Sequence, residues 1–412
     1  MSRSVVVTGM GVVSRDVIGI PAFCRLLSDG SPVPGRPTQF DSDRFRAKNA
    51  YATDPDVTLA ALRRALSRSS KRLGLTEMTE PEMNCAGYSM LAAIEAVEQA
   101  GLTSDILSTA GCSIATTSGG MMDRFTDALE EGDHSVEFQE LVSPGSAAVV
   151  LQRVLGLHGP LSSFSCACAS SIGALSYAFM RIRNGDAPVM LVGGNDRIRE
   201  ADFAGFNALR AMDRERCRPF DVDRRGMIIG DGAAILVVED EEHARARGAQ
   251  PLAKVSSIAL STDSHHITCP KPDGLTRAMG QALERANLSA DAVGYVNCHG
   301  TGTQINDEAE AIALEAVFGG SVKRPIVSST KGTTGHLLGS AGAIEAVATI
   351  LALRAGEAPQ MTSTINPEDI PFTMPVKGQD RTIRTNVAMS NSLGFGGLNG
   401  SVIFALPETG DI

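Results

Sequence analysis

The stretch Phe164-Ser165-Cys166-Ala167-Cys168-Ala169-Ser170-Ser171-Ile172-Gly173-Ala174 joins an apolar run to a segment, residues 172–182, whose pattern indicates a buried helix. Cys168 stands among small residues at the start of that helix. Unpaired N–H groups at a helix N-terminus favour a thiolate, and this would make Cys168 a nucleophile. Close packing is the alternative role, because cysteine is among the most buried residue types. The stretch alone does not decide between the two.

Length and composition favour a large protein with a well-formed core. The chain has 412 residues, of which 43% are hydrophobic and 20% are charged. No apolar run in the sequence approaches the roughly 20 residues that a membrane-spanning helix needs. Met1 is followed almost directly by a strand-like run, without the apolar core of a signal peptide. We therefore expect a cytoplasmic protein that does not associate with membranes.

The net charge limits the kinds of partner that the protein can bind, and the cysteines indicate its redox environment. The formal net charge of −10 disfavours nucleic-acid binding, because phosphate contacts need a basic face. Eight cysteines without a repeated spacing indicate free thiols in a reducing compartment. One basic cluster interrupts the acidic background and is a candidate for binding an acidic partner, although such a run is usually a solvated helix face. Its members are Arg63, Arg64, Arg68, Lys71 and Arg72.

Strand and helix signals alternate along the chain, which predicts an α/β fold rather than a β-sandwich. Residues 14–56 look irregular, and a soft boundary near residue 250 separates two halves with a tight interface. Helices are predicted at residues 57–73, 84–101, 139–157, 172–182, 239–248, 275–286, 307–318 and 342–353. Strands are predicted at residues 5–13, 112–117, 188–194, 233–239, 254–261, 293–298, 325–329, 387–391 and 401–405.

Three loops at predicted strand ends carry unusual residues. The segments 297–303 and 331–342 each place a histidine in a turn of small residues, where the backbone can approach a ligand closely. The third, 391–400, is glycine-rich and contains one bulky ring, Phe395. Zinc binding is a weaker interpretation, because one Cys-x-Cys pair without a second is poor ligand spacing. Phosphate binding is weaker still, because neither glycine-rich nucleotide motif is present.

Taken together, these motifs resemble the β-ketoacyl-acyl-carrier-protein synthase family. They are Ala-Cys-Ala-Ser-Ser, His-Gly-Thr-Gly-Thr, Lys-Gly-x-x-Gly-His-x-x-Gly-x-Ala-Gly and Gly-Phe-Gly-Gly-x-Asn, and the likeness runs from Val5 to Phe404. It is strongest toward the elongating type II fatty-acid and polyketide ketosynthases. The resemblance implies an α/β thiolase fold, with two similar halves stacked as a five-layered αβαβα sandwich. Residues 1–250 would carry the nucleophilic cysteine, and residues 251–412 the two catalytic histidines.

The resemblance also implies a role for each matching residue. Cys168 looks like the nucleophile that takes an acyl chain from an acyl carrier protein. His299 and His336 look like the pair that binds the malonyl thioester and stabilises the enolate formed when carbon dioxide leaves. Lys331 looks like the lysine that orients the site, and Glu345 like the carboxylate on the following helix.

Further roles follow from the same resemblance. Phe395 looks like a gating ring, and its backbone N–H would form an oxyanion hole with that of Cys168. Thr301 and Thr303 would contact the pantetheine arm, and Glu310 is a further ion-pair partner for Lys331. Ser118 would lie at the end of the acyl pocket.

The implied substrates arrive on the phosphopantetheine of an acyl carrier protein, so no bound cofactor or metal is expected. The implied partner in a dimer is a second copy or a chain-length-factor-like subunit. Glu80 and Glu82 stand near Met83, where fatty-acid relatives carry basic carrier-facing residues. We therefore expect the carrier to use the cluster from Arg63 to Arg72 instead.

The expected activity is decarboxylative Claisen condensation of an acyl-Cys thioester with malonyl-carrier protein in a type II polyketide or polyene pathway. A primary fatty-acid synthase II enzyme and a non-decarboxylating acyltransferase of the same fold are alternatives. A chain-length-factor-like partner is another, although it typically lacks the nucleophile that Cys168 supplies. A biosynthetic thiolase would carry a second cysteine where this chain has Leu393-Gly394-Phe395-Gly396-Gly397.

Overall fold

The computed structural model describes residues 3–15, 17–30, 33–117, 119 and 143–407. Helices and strands alternate in the described parts, as the sequence pattern predicts. The helices are α1 Ile20–Asp29, α2 Pro55–Leu73, α3 Glu80–Ala100, α4 Ser104–Thr109, α5 Ser146–Leu155, α6 Ser170–Asn184, α7 Glu200–Ala208, α8 Glu241–Ala246, α9 Pro272–Ala286, α10 Gln304–Phe318, α11 Lys331–Thr334 and α12 Ala341–Ala355. The strands are β1 Val5–Ser14, β2 Val17–Ile18, β3 Gly111–Ala115, β4 Leu161–Phe164, β5 Val189–Asp196, β6 Gly232–Asp240, β7 Ala253–Thr262, β8 Tyr295–Asn297, β9 Ile326–Ser328, β10 Val387–Leu393 and β11 Leu398–Ala405.

The order of the strands reveals a repeat that the sequence does not display. Across the sheet the order is β4-β3-β5-β6-β1-β7-β11-β10-β8-β9, with β2 paired beside β1. Apart from β2, each half contributes five strands, which are numbered here in chain order within that half. From the outer edge of the sheet to its middle, both halves have them in the order third, second, fourth, fifth, first. The two halves also share the same parallel and antiparallel pairings, and they meet where Val6 and Val7 of β1 pair with Lys254 and Ala253 of β7.

Three hydrophobic cores separate five layers. Helices α6 and α12 pack against each other between the two halves of the sheet and share one core with residues of both. Helices α2, α3 and α5 cover the outer face of the N-terminal half. Helices α9 and α10 cover the outer face of the C-terminal half. The five-layered αβαβα arrangement is therefore confirmed.

Helix α12 is mostly apolar around its circumference, because it lies in the central layer, and Glu345 is its one buried charged residue. Residues 338–355 have a mean hydropathy of 1.4, and they are the one segment of the described chain that is long and apolar enough to cross a membrane. Of that segment, 83% is buried inside the protein. The expectation that no apolar run approaches membrane-spanning length was wrong for this segment, whose composition reflects burial between two sheets.

Local signals set several helix ends where the sequence places them. Helix α3 begins with a capping box in which Thr79 and Glu82 each bond the other's backbone N–H, and it ends at Gly101 in a left-handed conformation. Helix α5 starts at Ser146, after Pro144, and residues 139–142 of the predicted helix lie outside the described part. Helix α1, in contrast, lies within the region predicted to be irregular.

Candidate active site

Cys168 lies at the tip of a tight turn between β4 and α6. Ala167, the residue before it, has a φ of 50°, in the left-handed region that L-residues rarely adopt. Ser170 fixes the turn, because its hydroxyl donates to the carbonyl of Ala167 at 2.5 Å and accepts the N–H of Cys166 at 2.7 Å. The side chain of Cys168 is thereby held at the N-terminal end of α6, two residues before its first turn.

The two histidines of the C-terminal half meet this cysteine. The rings of His299 and His336 are 5.2 Å apart at 85°, and one side-chain atom from each lies within 4.8 Å of the other and of the Cys168 sulfur. Both histidines are buried. Residues from loops after β8 and β9 and from the turn before α6 therefore form one cluster, as the sequence predicts.

Backbone and lysine contacts fix the proton on each ring. The N–H of Leu338 donates to Nδ1 of His336 at 3.1 Å, so that nitrogen carries no proton. Nδ1 of His299 lies 3.1 Å from Nζ of Lys331, which as an ammonium can only donate. Both neutral rings therefore carry their proton on Nε2. Burial, followed by the charge of Lys331, lowers the pKa of each histidine well below its usual value, so both rings stay neutral.

Lys331 is buried and uses its donors fully. It forms an ion pair with Glu345 on α12 and donates to the carbonyl of His299 at 2.6 Å, besides the contact with Nδ1. Glu345, not Glu310, is thus the contacting carboxylate. Glu310 instead accepts the N–H groups of His299 and Gly300, each at 2.8 Å, and so holds the histidine loop in place. Burial raises the pKa of both glutamates to about 7, against the opposing effects of Lys331 and of these N–H groups.

The thiol of Cys168 is protonated at rest. Burial raises its pKa to about 11, while the charge of Lys331 and the backbone N–H of Phe395 act in the opposite direction. The loss of water around the buried sulfur thus outweighs the nearby positive groups and opposes the thiolate that a helix N-terminus favours. Both neighbouring imidazoles already carry a proton on Nε2 and have a donor at Nδ1, so in this site they act as hydrogen-bond donors.

The glycine-rich turn brings Phe395 to the cysteine. Gly394 packs closely on the Cys168 turn, since a Cβ there would lie 3.1 Å from the carbonyl oxygen of Cys166. The backbone N–H of Phe395 consequently points at the Cys168 sulfur, in the position predicted for an oxyanion donor. The ring of Phe395 is 37% exposed and packs against Phe206 of α7, with centroids 6.1 Å apart.

A cavity of about 510 Å³ opens onto these groups. Thr301 and Thr303 lie in its wall with their hydroxyl oxygens 2.9 Å apart. Its wall also includes residues of several helices and loops that lie outside the sequence motifs. The principal ones are Phe206, Leu209, Arg210, Arg225, Ile267 and Ile305.

Comparison with known proteins assigns this site to a family. Residues 2–244 match the family described as "Beta-ketoacyl synthase, N-terminal domain", and residues 252–364 match "Beta-ketoacyl synthase, C-terminal domain". The chain belongs to the β-ketoacyl synthase family. The cluster of Cys168, His299 and His336 is accordingly the Cys-His-His set of an acyltransferase of this family. Zinc would also accept these three donor atoms, but the family match assigns them to acyl transfer.

Full-length relatives come from two kinds of pathway. The enzyme is 33% identical to 3-oxoacyl-[acyl-carrier-protein] synthase 2 of Synechocystis sp., over 98% of each chain. It is 34% identical to the putative polyketide β-ketoacyl synthase 1 of Streptomyces halstedii, over 99% of each chain. Among solved structures, the ishigamide ketosynthase/chain length factor matches with a TM-score of 0.88 and 29% identity, over 99% of this chain and 100% of that one. The predicted thiolase fold is confirmed.

The basic cluster on α2 carries less free charge than its sequence suggests. Arg63 pairs with Glu80 at 2.8 Å, and Arg68 and Arg72 both pair with Glu98. Among the described residues, Arg64 and Lys71 have no ion-pair partner. A carrier surface on α2 therefore remains a proposal that depends mainly on these two residues. The predicted role of Ser118 lies outside the described residues.

Proposed function

We propose that the enzyme elongates acyl chains by decarboxylative Claisen condensation with malonyl-acyl-carrier protein. The observation that carries this proposal is the pair of neutral histidines, each with its proton on Nε2, beside a thiol nucleophile. Acyl transfer alone needs one nucleophile and a proton acceptor. Two N–H donors close to each other and to the nucleophile suit a reaction that builds negative charge on a thioester oxygen.

In the first step the sulfur of Cys168 attacks the thioester carbonyl of an acyl-carrier protein. The new bond is S–C, the bond to the pantetheine sulfur breaks, and the proton that the Cys168 thiol loses is taken up by the departing pantetheine thiolate. The backbone N–H groups of Cys168 and Phe395 hold the oxyanion of the tetrahedral intermediate. An acyl-Cys168 thioester and a free carrier result.

In the second step the malonyl thioester binds with its carbonyl oxygen between Nε2–H of His299 and of His336. The bond to the carboxylate carbon breaks, carbon dioxide leaves, and both electrons pass into an enolate held by these two donors. The enolate carbon attacks the acyl-Cys168 carbonyl and expels the cysteine sulfur. One proton from solvent restores the thiol, so the products are a β-ketoacyl-carrier protein, carbon dioxide and free Cys168.

We assign the enzyme to a type II polyketide or polyene pathway. Two features favour this over primary fatty-acid synthesis: Gly302, which gives the His-Gly-Thr-Gly-Thr loop frequent in polyketide ketosynthases, and the structural likeness to a ketosynthase/chain length factor. The identities to the fatty-acid and polyketide relatives, 33% and 34%, do not separate the two pathways. Intact-mass analysis of the enzyme co-expressed with its carrier would identify the acyl group on Cys168 and decide between them.

We further propose that the enzyme works as a dimer, with itself or with a chain-length-factor-like subunit. The N-terminal half of the sheet ends at β4, Leu161–Phe164, whose residues are all partly exposed. An open strand edge is a ready template for pairing with another chain. A sedimentation measurement should give a dimer, and a proline at Ser163, whose backbone N–H faces away from β3, should weaken it, whereas the same substitution at exposed Ser165, beyond the strand, should not.

Release of carbon dioxide from malonyl-carrier protein tests the reaction. The enzyme should release it, His336→Ala should abolish release, and Cys168→Ala should abolish acyl transfer while leaving both histidines in place. A second variant, Arg183→Gln on the exposed surface of α6, should behave like the unmodified enzyme. Acyl transfer to Cys168 without any release of carbon dioxide would refute the condensation and establish a non-decarboxylating acyltransferase instead.

A further inference from the structure

Two exposed arginines line the active-site cavity from neighbouring backbone segments. Arg210 follows α7, Arg225 precedes the segment that leads into β6, and both line the cavity. Met212 and Met227 form a parallel bridge, with the N–H of Met227 donating to Ala211 at 2.9 Å. Arg210 and Arg225 occupy matching positions, each two residues before its bridge methionine. The two guanidinium groups therefore belong to adjacent backbone segments that run in the same direction.

Neither guanidinium has a counter-charge. Within the described chain, no carboxylate pairs with Arg210 or Arg225. Their neighbours differ in this respect: Arg218 pairs with Glu215, and Arg224 pairs with Glu368. The nearby carboxylate of Asp223 accepts from the amide of Asn366 instead.

Two positive charges without counter-charges on one cavity wall make that wall attractive to an anion. The cavity therefore has two positive charges at its exposed end and the nucleophile Cys168 at its buried end. This arrangement fits a ligand with an anionic outer end and an uncharged reactive end. Guanidinium groups bind phosphate through paired N–H donors, better than an ammonium does.

The backbone on both sides of Arg225 is held by contacts, one of which is with the loop that carries the hydroxyl groups of Thr301 and Thr303. Its neighbour Arg224 is buried and donates to the carbonyl of Asp221 at 2.9 Å. Its other neighbour, Gly226, donates its N–H to the carbonyl of Gly302, between Thr301 and Thr303, at 2.9 Å. The arginine therefore stands at a fixed place beside two hydroxyls that can bond amide groups deeper in the cavity.

We propose that Arg210 and Arg225 together bind the phosphate of the phosphopantetheine arm that delivers the substrate. This rests on the proposed function, which requires such an arm. The phosphate anchors the outer end at the rim, Thr301 and Thr303 contact the middle, and the thioester reaches Cys168. The carrier arm is thus recognised by its own chemistry, independently of where the carrier protein's surface docks.

Protection of Cys168 from alkylation by iodoacetamide, followed by intact mass, tests the proposal without requiring turnover. With the thiol of each free arm blocked as its S-methyl ether, so that it does not consume iodoacetamide, 4′-phosphopantetheine should protect at about tenfold or more lower concentration than pantetheine, which lacks the phosphate. Arg225→Gln and Arg210→Gln should each remove most of this preference, Arg225→Lys should keep part of it, and protection by pantetheine should stay unchanged. Arg183→Gln, a matched exposed arginine on α6, should keep the full preference.

Equal protection by the two free arms in the unmodified enzyme would overturn the proposal. So would a full preference that survives both glutamine variants. If the variants weaken binding of the whole carrier protein but the free arms are not distinguished, the pair contacts acidic residues of the carrier, and the phosphate site is refuted. An enzyme that prefers the phosphorylated arm through this pair but releases no carbon dioxide would refute the proposed function and leave the phosphate site standing.

Discussion

Replacing Glu345 by glutamine should damage both stability and chemistry. The side chains of Lys331 and Glu345 are 0% and 1% exposed, so the substitution would leave a buried ammonium without its contacting carboxylate. Breaking a buried pair in this way costs about 3–5 kcal/mol of unfolding free energy. Without this carboxylate Lys331 would no longer be held in place, and Nδ1 of His299 would lose the contact that fixes the proton on Nε2. We expect release of carbon dioxide to fall about 10- to 100-fold.

Urea unfolding at pH 7 and release of carbon dioxide from malonyl-carrier protein measure the two effects. Glu80→Gln is the matched control, because its pair with Arg63 is 56% exposed on both sides and such pairs contribute at most about 1 kcal/mol. The double variant Lys331→Met with Glu345→Leu removes both charges and should unfold at higher urea than Glu345→Gln, yet stay inactive. A loss of stability in Glu345→Gln no larger than in Glu80→Gln would refute the reasoning.

Three further predictions concern the nucleophile and the turn above it. Because burial raises the pKa of Cys168 to about 11, its alkylation rate should rise about tenfold per pH unit from about pH 7 to 10, and a plateau below pH 8 would contradict this. Gly394→Ala should slow acyl transfer at least about tenfold, with little change in urea unfolding. The reason is that its Cβ would lie 3.1 Å from the Cys166 carbonyl oxygen and push away the backbone N–H of Phe395, which binds the oxyanion. An unchanged rate of acyl transfer would rule out this close approach. Phe395→Ala removes the ring that packs on Phe206, so the acyl-Cys168 thioester should hydrolyse faster in water. Mass spectrometry over time would record its lifetime. An unchanged lifetime would argue against a gating role for the Phe395 ring.

Much of the fold is readable from the sequence, because each long element carries its own signal. Periodicity and caps locate α2 and α3, and apolar β-branched runs locate β1 and β5. Helix α1 is not predicted, because Gly19, Pro21 and the surrounding residues are typical of turns. Its apolar residues Phe23 and Leu27 nevertheless lie in the core. The repeated strand order is not predicted either, for another reason. Which strands pair is set by the topology, and the two halves share no sequence repeat that can be seen by eye.

The site is predictable in its members but not in its electrostatics. Strand-end loops with small residues are enough to identify Cys168, His299 and His336. The protonated state of the cysteine depends on burial, which no local pattern reveals. Likewise, Glu310 and Glu345 both stand on helices after a catalytic loop, and only the packing of α12 in the central layer places Glu345 against Lys331.

The repeat also explains why the enzyme has a single nucleophile. Helices α6 and α12 are equivalent in the two halves, and each begins two residues after a tight turn, at Cys168 and at Gly339. The residues just before, Ala167 and Leu338, have φ values of 50° and 51°, so one backbone shape occurs twice. At Gly339, however, a Cβ would lie 2.6 Å from the backbone of Thr116 and 2.7 Å from the carboxylate of Asp196. The same backbone corner thus carries a reactive side chain in one half, while packing in the other half leaves no room for any side chain.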